Sequence, residues 1–150
     1  MSYANEATEE QQVRVTKVFE ELNSSNIEIF DTLYAKDVKF IDPIGEHNGR
    51  DILKEYFKEL YQNVKSIKFH YDDIISNGSD HVFVWKMTLV ATSLNSGNPV
   101  IVDGTSVIKF NNENLVYYHR DYFDMGEFIY EKIPFLGWVL SKIKSKMRND

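Results

Sequence analysis

The sequence predicts an α+β domain, with helices first, a long antiparallel meander after them and a helix at the end. Three observations carry this. Apolar residues recur at helical spacing only near the two ends of the chain, four alternating strand-like stretches fill the interval, and the breaks between those stretches are turn sequences. With 150 residues, 43% apolar and 14% aromatic, the chain can bury one core, so residues 1–150 read as a single domain with 126–148 as a C-terminal helical extension.

Val15, Val18, Phe19 and Leu22 mark the first helix. After Asn23-Ser24, Ser25 and Glu28 form a capping box for a second, short helix that buries Ile27, Phe30 and Tyr34. Asp37 to Asp42 is a strand ended by Pro43 and Gly45. Asn48, with Asp51 three residues on, caps a third helix whose Ile52, Tyr56, Phe57 and Leu60 share a side. Strands at about 65–76, 81–93, 99–110 and 115–124 are separated by Asn77-Gly78, Asn95-Ser96-Gly97 and Asn111-Asn112. Asp124 and Glu127 form a second capping box, and Pro134 with Gly137 kinks or restarts the last helix. Its stripe is Ile133, Leu136, Leu140, Ile143 and Met147.

Composition excludes several functions. A net charge of −6 repels phosphate backbones, so nucleic acid is not an expected partner, and the absence of cysteine removes thiolate catalysis and thiolate metal sites. Met1 to Glu6 lacks an apolar core and no run is long enough to span a membrane, which makes a cytoplasmic protein the expectation. The last helix carries Trp138 and four cations, Lys142, Lys144, Lys146 and Arg148. A helix that seals a pocket or packs on a sheet explains it better than membrane contact against an acidic body. His47, His70 and His81 have no partner at metal-ligand spacing, so no metal is expected.

Two carboxylates stand out because each interrupts a strand that otherwise reads as buried. They are Asp42, in Phe40-Ile41-Asp42-Pro43-Ile44-Gly45, and Asp121, in His119-Arg120-Asp121-Tyr122-Phe123-Asp124. Asp42 has a structural alternative, bonding the turn from Pro43 to Gly45, and Asp121 has one as the ion-pair partner of Arg50, Lys86 or Arg120.

The order of elements resembles the nuclear transport factor two-like cone, a curved antiparallel sheet wrapped on three helices and shared by ketosteroid isomerases, SnoaL-type polyketide cyclases and limonene epoxide hydrolases. The segment from Phe40 to Gly45, with Gly49-Arg50 after it, resembles the ketosteroid isomerase segment in which the Asp before Pro is the general base. Arg120 to Asp124 resembles the last strand of limonene epoxide hydrolase, where the Asp after Arg works with an Arg-x-Asp pair. The resemblance implies a cone that takes a small apolar molecule, an isomerase, cyclase or hydrolase using Asp42 or Asp121 as acid or base, and no cofactor. The same fold hosts non-catalytic binding and scaffold modules, which is the alternative. The oxyanion donors of ketosteroid isomerase fall near Val18 or Phe19 and at Ser106, and Met87 and Leu89 replace the Arg-x-Asp pair. Efficient turnover of a ketosteroid or of limonene epoxide is therefore not expected.

Strand alternation sketches the pocket. With Asp121 inward, Tyr117, His119 and Phe123 share its face; Phe83, Trp85, Met87 and Leu89 share another; and Ser106 sits with Gly104 and Ile108. Asp42, Asp121 and His119 are the candidate catalytic residues, and Phe40, Trp85, Met87, Ser106, Tyr117 and Phe123 the candidate ligand contacts. The outward set Val107, Val116, Tyr118 and Tyr122 is too apolar to leave wet and predicts a homodimer through the sheet.

Overall fold

The structure, a computed structural model, describes residues 2–92, 94–128 and 134–149. Its elements are α1 (Ser2–Glu21), a 3-10 helix (Ile27–Thr32), β1 (Tyr34–Asp42), β2 (Gly45–Asn48), α2 (Arg50–Tyr61), β3 (Val64–Asn77), β4 (Asp80–Ala91), β5 (Val100–Phe110), β6 (Val116–Phe123), α3 (Met125–Phe128) and α4 (Pro134–Asn149). The six strands form one curved sheet in the order β2-β1-β6-β5-β4-β3, with the helices against it in the α+β cone arrangement. Every neighbouring pair is antiparallel except β1 and β6, which run parallel, so the sheet is mixed where pure antiparallel pairing was expected.

Four local expectations are corrected. The helix at the start extends back to Ser2, through a polar run of Ala, Glu and Gln that has helix propensity without an apolar stripe. The second helix is only a 3-10 turn without a side-chain cap. Asn26 accepts from the Asn23 amide and Asn23 from the Ser25 amide, and Tyr34 opens β1 instead of closing a helix. Asn48 is the last residue of β2, a strand the sequence reading passed over because it is four residues long and largely polar. Gly49, at φ +95°, makes the bend into α2. The buried face of α2 is Leu53, Phe57 and Tyr61, at spacings of four, while Ile52 and Leu60 are 57% and 40% exposed.

The core lies between α1, α2 and the inner face of the sheet. α1 contributes Val15, Val18 and Phe19, and β4 contributes Phe83, Trp85, Met87 and Leu89, the face that alternation predicted. Gly104 of β5 pairs with Trp85, and a Cβ there would overlap the Trp85 ring, so the glycine is what lets the indole lie across the sheet. The β3–β4 hairpin turns through Gly78-Ser79, with Gly78 at φ +62°.

At the C-terminal end Asp124 Oδ1 accepts from the Gly126 amide at 2.7 Å, the cap expected before α3, and α4 restarts at Pro134. Of the predicted stripe, Ile143 and Met147 are 50% and 73% exposed. The side chains of Glu127, Ile133, Leu136, Trp138 and Leu140 lie outside the described residues. No helix among the described residues is long and apolar enough to cross a membrane.

Candidate functional site

Curvature of the sheet leaves a cavity of about 130 Å³ between α2, the inner faces of β3 and β4 and the ends of β1 and β6. Phe40, Asp42, Trp85, Met87, Asp121 and Phe123, six of the residues singled out from sequence, line it together. The parallel register of β1 and β6 explains the meeting of the two carboxylates. Phe40 stands opposite His119 and Ile41 opposite Arg120, so the next step brings Asp42 beside Asp121. Both also border a shallow depression outside, with Pro43, Arg120 and Tyr122.

Asp121 is held by a chain of hydrogen bonds that runs across four strands, β4, β5, β6 and β1. Trp85 Nε1 donates to Ser106 Oγ at 2.8 Å, and the Ser106 hydroxyl donates to Asp121 Oδ1 at 2.5 Å. His119 Nε2 lies 2.8 Å from the same oxygen, and His119 Nδ1 is 2.7 Å from the Tyr34 hydroxyl. Burial, and then the negative charge of Asp121, pushes the Tyr34 phenol well above its ordinary range, so Tyr34 stays protonated beside Nδ1. A carboxylate oxygen accepts, so the His119 Nε2–H donates to Asp121. Oδ1 takes both bonds, and Oδ2 has no hydrogen-bond partner among the described residues, with the side chain 19% exposed. The expected ion-pair partners are engaged elsewhere, Arg50 with Asp31 at 3.1 Å and Lys86 with Asp103 at 2.7 Å.

Asp42 plays its structural role. Oδ1 accepts from the amides of Ile44 and Gly45 at 2.9 and 3.1 Å, closing the turn between β1 and β2, and Oδ2 accepts from the Tyr56 hydroxyl at 2.5 Å. Tyr56 is raised far above the usual tyrosine range by burial first and by that bond second, and its ring stacks on His47 at 3.7 Å. The carboxylate still borders the cavity, but its two oxygens are already engaged.

Ser106 and His119 line a smaller pocket that adjoins the cavity through Asp121. Tyr117 does not join them. Phe110 pairs with Val116 and Lys109 with Tyr118, so Tyr117 is the extra residue of a β-bulge, which returns Val116 to the core at 0% exposure and leaves Tyr117 43% exposed. The same bulge removes Val116 from the outward set. His81, passed over for want of a metal-ligand partner, is a buried residue of β4. Its Nδ1 is 2.6 Å from Ser76 Oγ and its Nε2 is 2.8 Å from Gln11 Oε1, and burial lowers its proton affinity.

Two site residues were missed, Tyr34 and Tyr61. Tyr61, at the end of α2, lines the cavity, and its hydroxyl has no hydrogen-bond partner among the described residues. A stripe read from Leu53 would have found it. Among the described residues no group of three or more His, Cys, Asp or Glu is placed to hold a metal ion.

A family model described as the SnoaL-like domain matches residues 15–118. The chain belongs to the SnoaL-like domain family. Solved structures share the fold of this SnoaL-like domain. A nuclear transport factor two-like protein of unknown function from Burkholderia pseudomallei is 18% identical at a TM-score of 0.67, over 85% of this chain and 95% of that one. A candidate SnoaL-like polyketide cyclase from a Jannaschia species is 13% identical at 0.67, over 77% and 85%. A protein with a ketosteroid isomerase-like fold from Catenulispora acidiphila, in complex with trimethylamine, is 13% identical at 0.68, over 82% and 91%. No curated protein matched the SnoaL-like chain in a sequence search.

Proposed function

We propose that this chain binds a small, mainly apolar molecule in its cone and that Asp121 moves a proton on it without a cofactor. The observation behind this is the position of Asp121. Ser106 and His119 fix one oxygen, the other is left for a guest, and an apolar cavity opens in front. Asp42, bound to its turn and to Tyr56, shapes the cavity wall in this reading, and His119 is a positioning residue that Tyr34 holds in place. The free Tyr61 hydroxyl is the donor suited to a developing oxyanion, since a preorganised donor in a dry site is worth about 2.7–4 kcal/mol.

A cavity of about 130 Å³ sets the scale of the guest, because an apolar cavity of roughly 150 Å³ takes a benzene ring. A steroid is too large for it. The trimethylamine complex of the Catenulispora protein is a precedent, in that protein, for a compact amine in such a cone.

Deuterium uptake from D₂O at the carbons next to the carbonyl of compact ketones, neutral and amine-bearing, tests the proton-transfer role by proton NMR. Acceleration is expected for the wild type, with a loss of about 10²-fold or more in Asp121→Asn and a much smaller loss in Asp42→Asn. No acceleration with any ketone that nonetheless shifts the cavity resonances would make the chain a binding module instead.

A further inference from the structure

We propose that the cone selects a compact organic cation, an ammonium group carrying small alkyl substituents, over neutral and anionic molecules of the same shape. This rests on the reading of the cavity as a small-molecule site and adds the charge of its guest.

Three observations converge on a cation. Eight of the sixteen described residues around the cavity are aromatic, among them Phe19, Tyr61, Phe69 and Trp85. Several of the rings meet at right angles, Phe69 against Trp85 at 89° and Phe40 against Phe57 at 84°, so they build the walls of a box rather than a stack. Ring faces are negative, and a cation among them is attracted without needing hydrogen bonds.

Among the described residues, the only ionisable side chains besides tyrosine around the cavity are Asp42 and Asp121, and none of the Lys, Arg or His described lines it. They stand side by side on parallel strands, where like charges repel and a monocation relieves the repulsion. His119 does not line this cavity and reaches Asp121 Oδ1 from the smaller adjoining pocket. Arg120 borders the outer depression, with its guanidinium 4.7 Å from the centre of the Tyr122 ring. The field of Asp121 reaches Tyr34, Tyr56, Tyr61 and Tyr71, and adds to the burial that raises each of these phenols.

The third observation is the apolar remainder, six aliphatic side chains and no further polar residue among those described. A metal ion or a bare ammonium would lose strong hydration on entering such walls. An alkylated ammonium is weakly hydrated and offers methyl groups to the rings, so the two halves of the lining serve the two halves of one guest.

Calorimetry with choline, its neutral isostere 3,3-dimethylbutan-1-ol and the anion 3,3-dimethylbutanoate tests this. Choline should bind about tenfold or more tightly than the alcohol, and the anion should not bind detectably. Asp121→Asn keeps the shape and both acceptor bonds, and should narrow the gap to about threefold or less. The alcohol binding as tightly as choline, or the full gap surviving in Asp121→Asn, would overturn the preference for a cation and leave the cavity reading standing. Binding of none of the three to the folded wild type would overturn both. Should Asp121→Asn fail to fold by circular dichroism, the wild-type comparison alone decides.

Discussion

The Tyr34 hydroxyl and His119 Nδ1 lie 2.7 Å apart with both residues buried, one at the start of β1 and the other in the middle of β6. This bond fixes which ring nitrogen of His119 faces Asp121, so a residue outside the cavity lining sets the protonation pattern inside it. Tyr34→Phe leaves Nδ1 without its partner and should lower unfolding free energy by about 1–3 kcal/mol in urea titrations. It should also slow any Asp121-dependent proton transfer more than it weakens binding of the guest. An effect on stability alone would confine Tyr34 to packing.

Gly104 is the floor under the Trp85 indole. Gly104→Ala forces the ring off β5, breaking the bond from Trp85 Nε1 to Ser106 and intruding on the cavity. Overpacking of this kind costs about 1–3 kcal/mol, and the thermal midpoint should fall together with affinity for any cavity ligand. A variant as stable as the wild type with an unshifted Trp85 indole N–H resonance would contradict the geometry.

His81 couples stability to pH. Burial holds its folded-state proton affinity below the ordinary value of 6.5, with the Asp80 charge opposing weakly, so the unfolded chain takes up a proton that the folded chain refuses. Its contribution is complete above about pH 6.5 and is lost as pH falls from there towards the lower, folded value. His81→Gln should flatten the stability curve below about pH 6.5 relative to wild type. Parallel curves for the two proteins would assign the acid sensitivity to other groups.

The outer face of the sheet carries Tyr122 at 48% and Ile101 at 52% exposure, beside Val107 and Tyr118. Covering it by two-fold pairing predicts a homodimer. Sedimentation equilibrium at tens of micromolar should give twice the chain mass of 17.6 kDa, and Tyr118→Glu should return it to a monomer. A wild-type mass of one chain would sink this.

The long strands were legible in the sequence because their alternation and turns are local. β4 reads Phe83, Trp85, Met87, Leu89 inward without exception, and the β3–β4 turn, Gly78-Ser79, lies one residue along from the Asn77-Gly78 signal. Phe40, Asp42, Trp85, Met87, Asp121 and Phe123 reached one cavity for the same reason. Tyr117 and Val116 were exchanged because a single inserted residue inverts the faces on one side of it, and nothing in Val-Tyr-Tyr announces a bulge. Tyr34 was assigned to a helix because its aromatic spacing from Phe30 fits one, and its partner His119 lies 85 residues away. Partners that distant leave no periodic trace.

The parallel pairing of β1 with β6 also sets when the site can exist during folding. Asp42 and Asp121 become neighbours only after the whole intervening chain, with α2 and four further strands, has been looped out between β1 and β6, which is the long-range closure that slows folding. A fragment ending before Val116 contains no site at all. No partly folded state lacking β6 keeps the Tyr34–His119–Asp121 relay, so a ligand held by Asp121 binds the native state alone. Its affinity then adds to the global unfolding free energy by mass action.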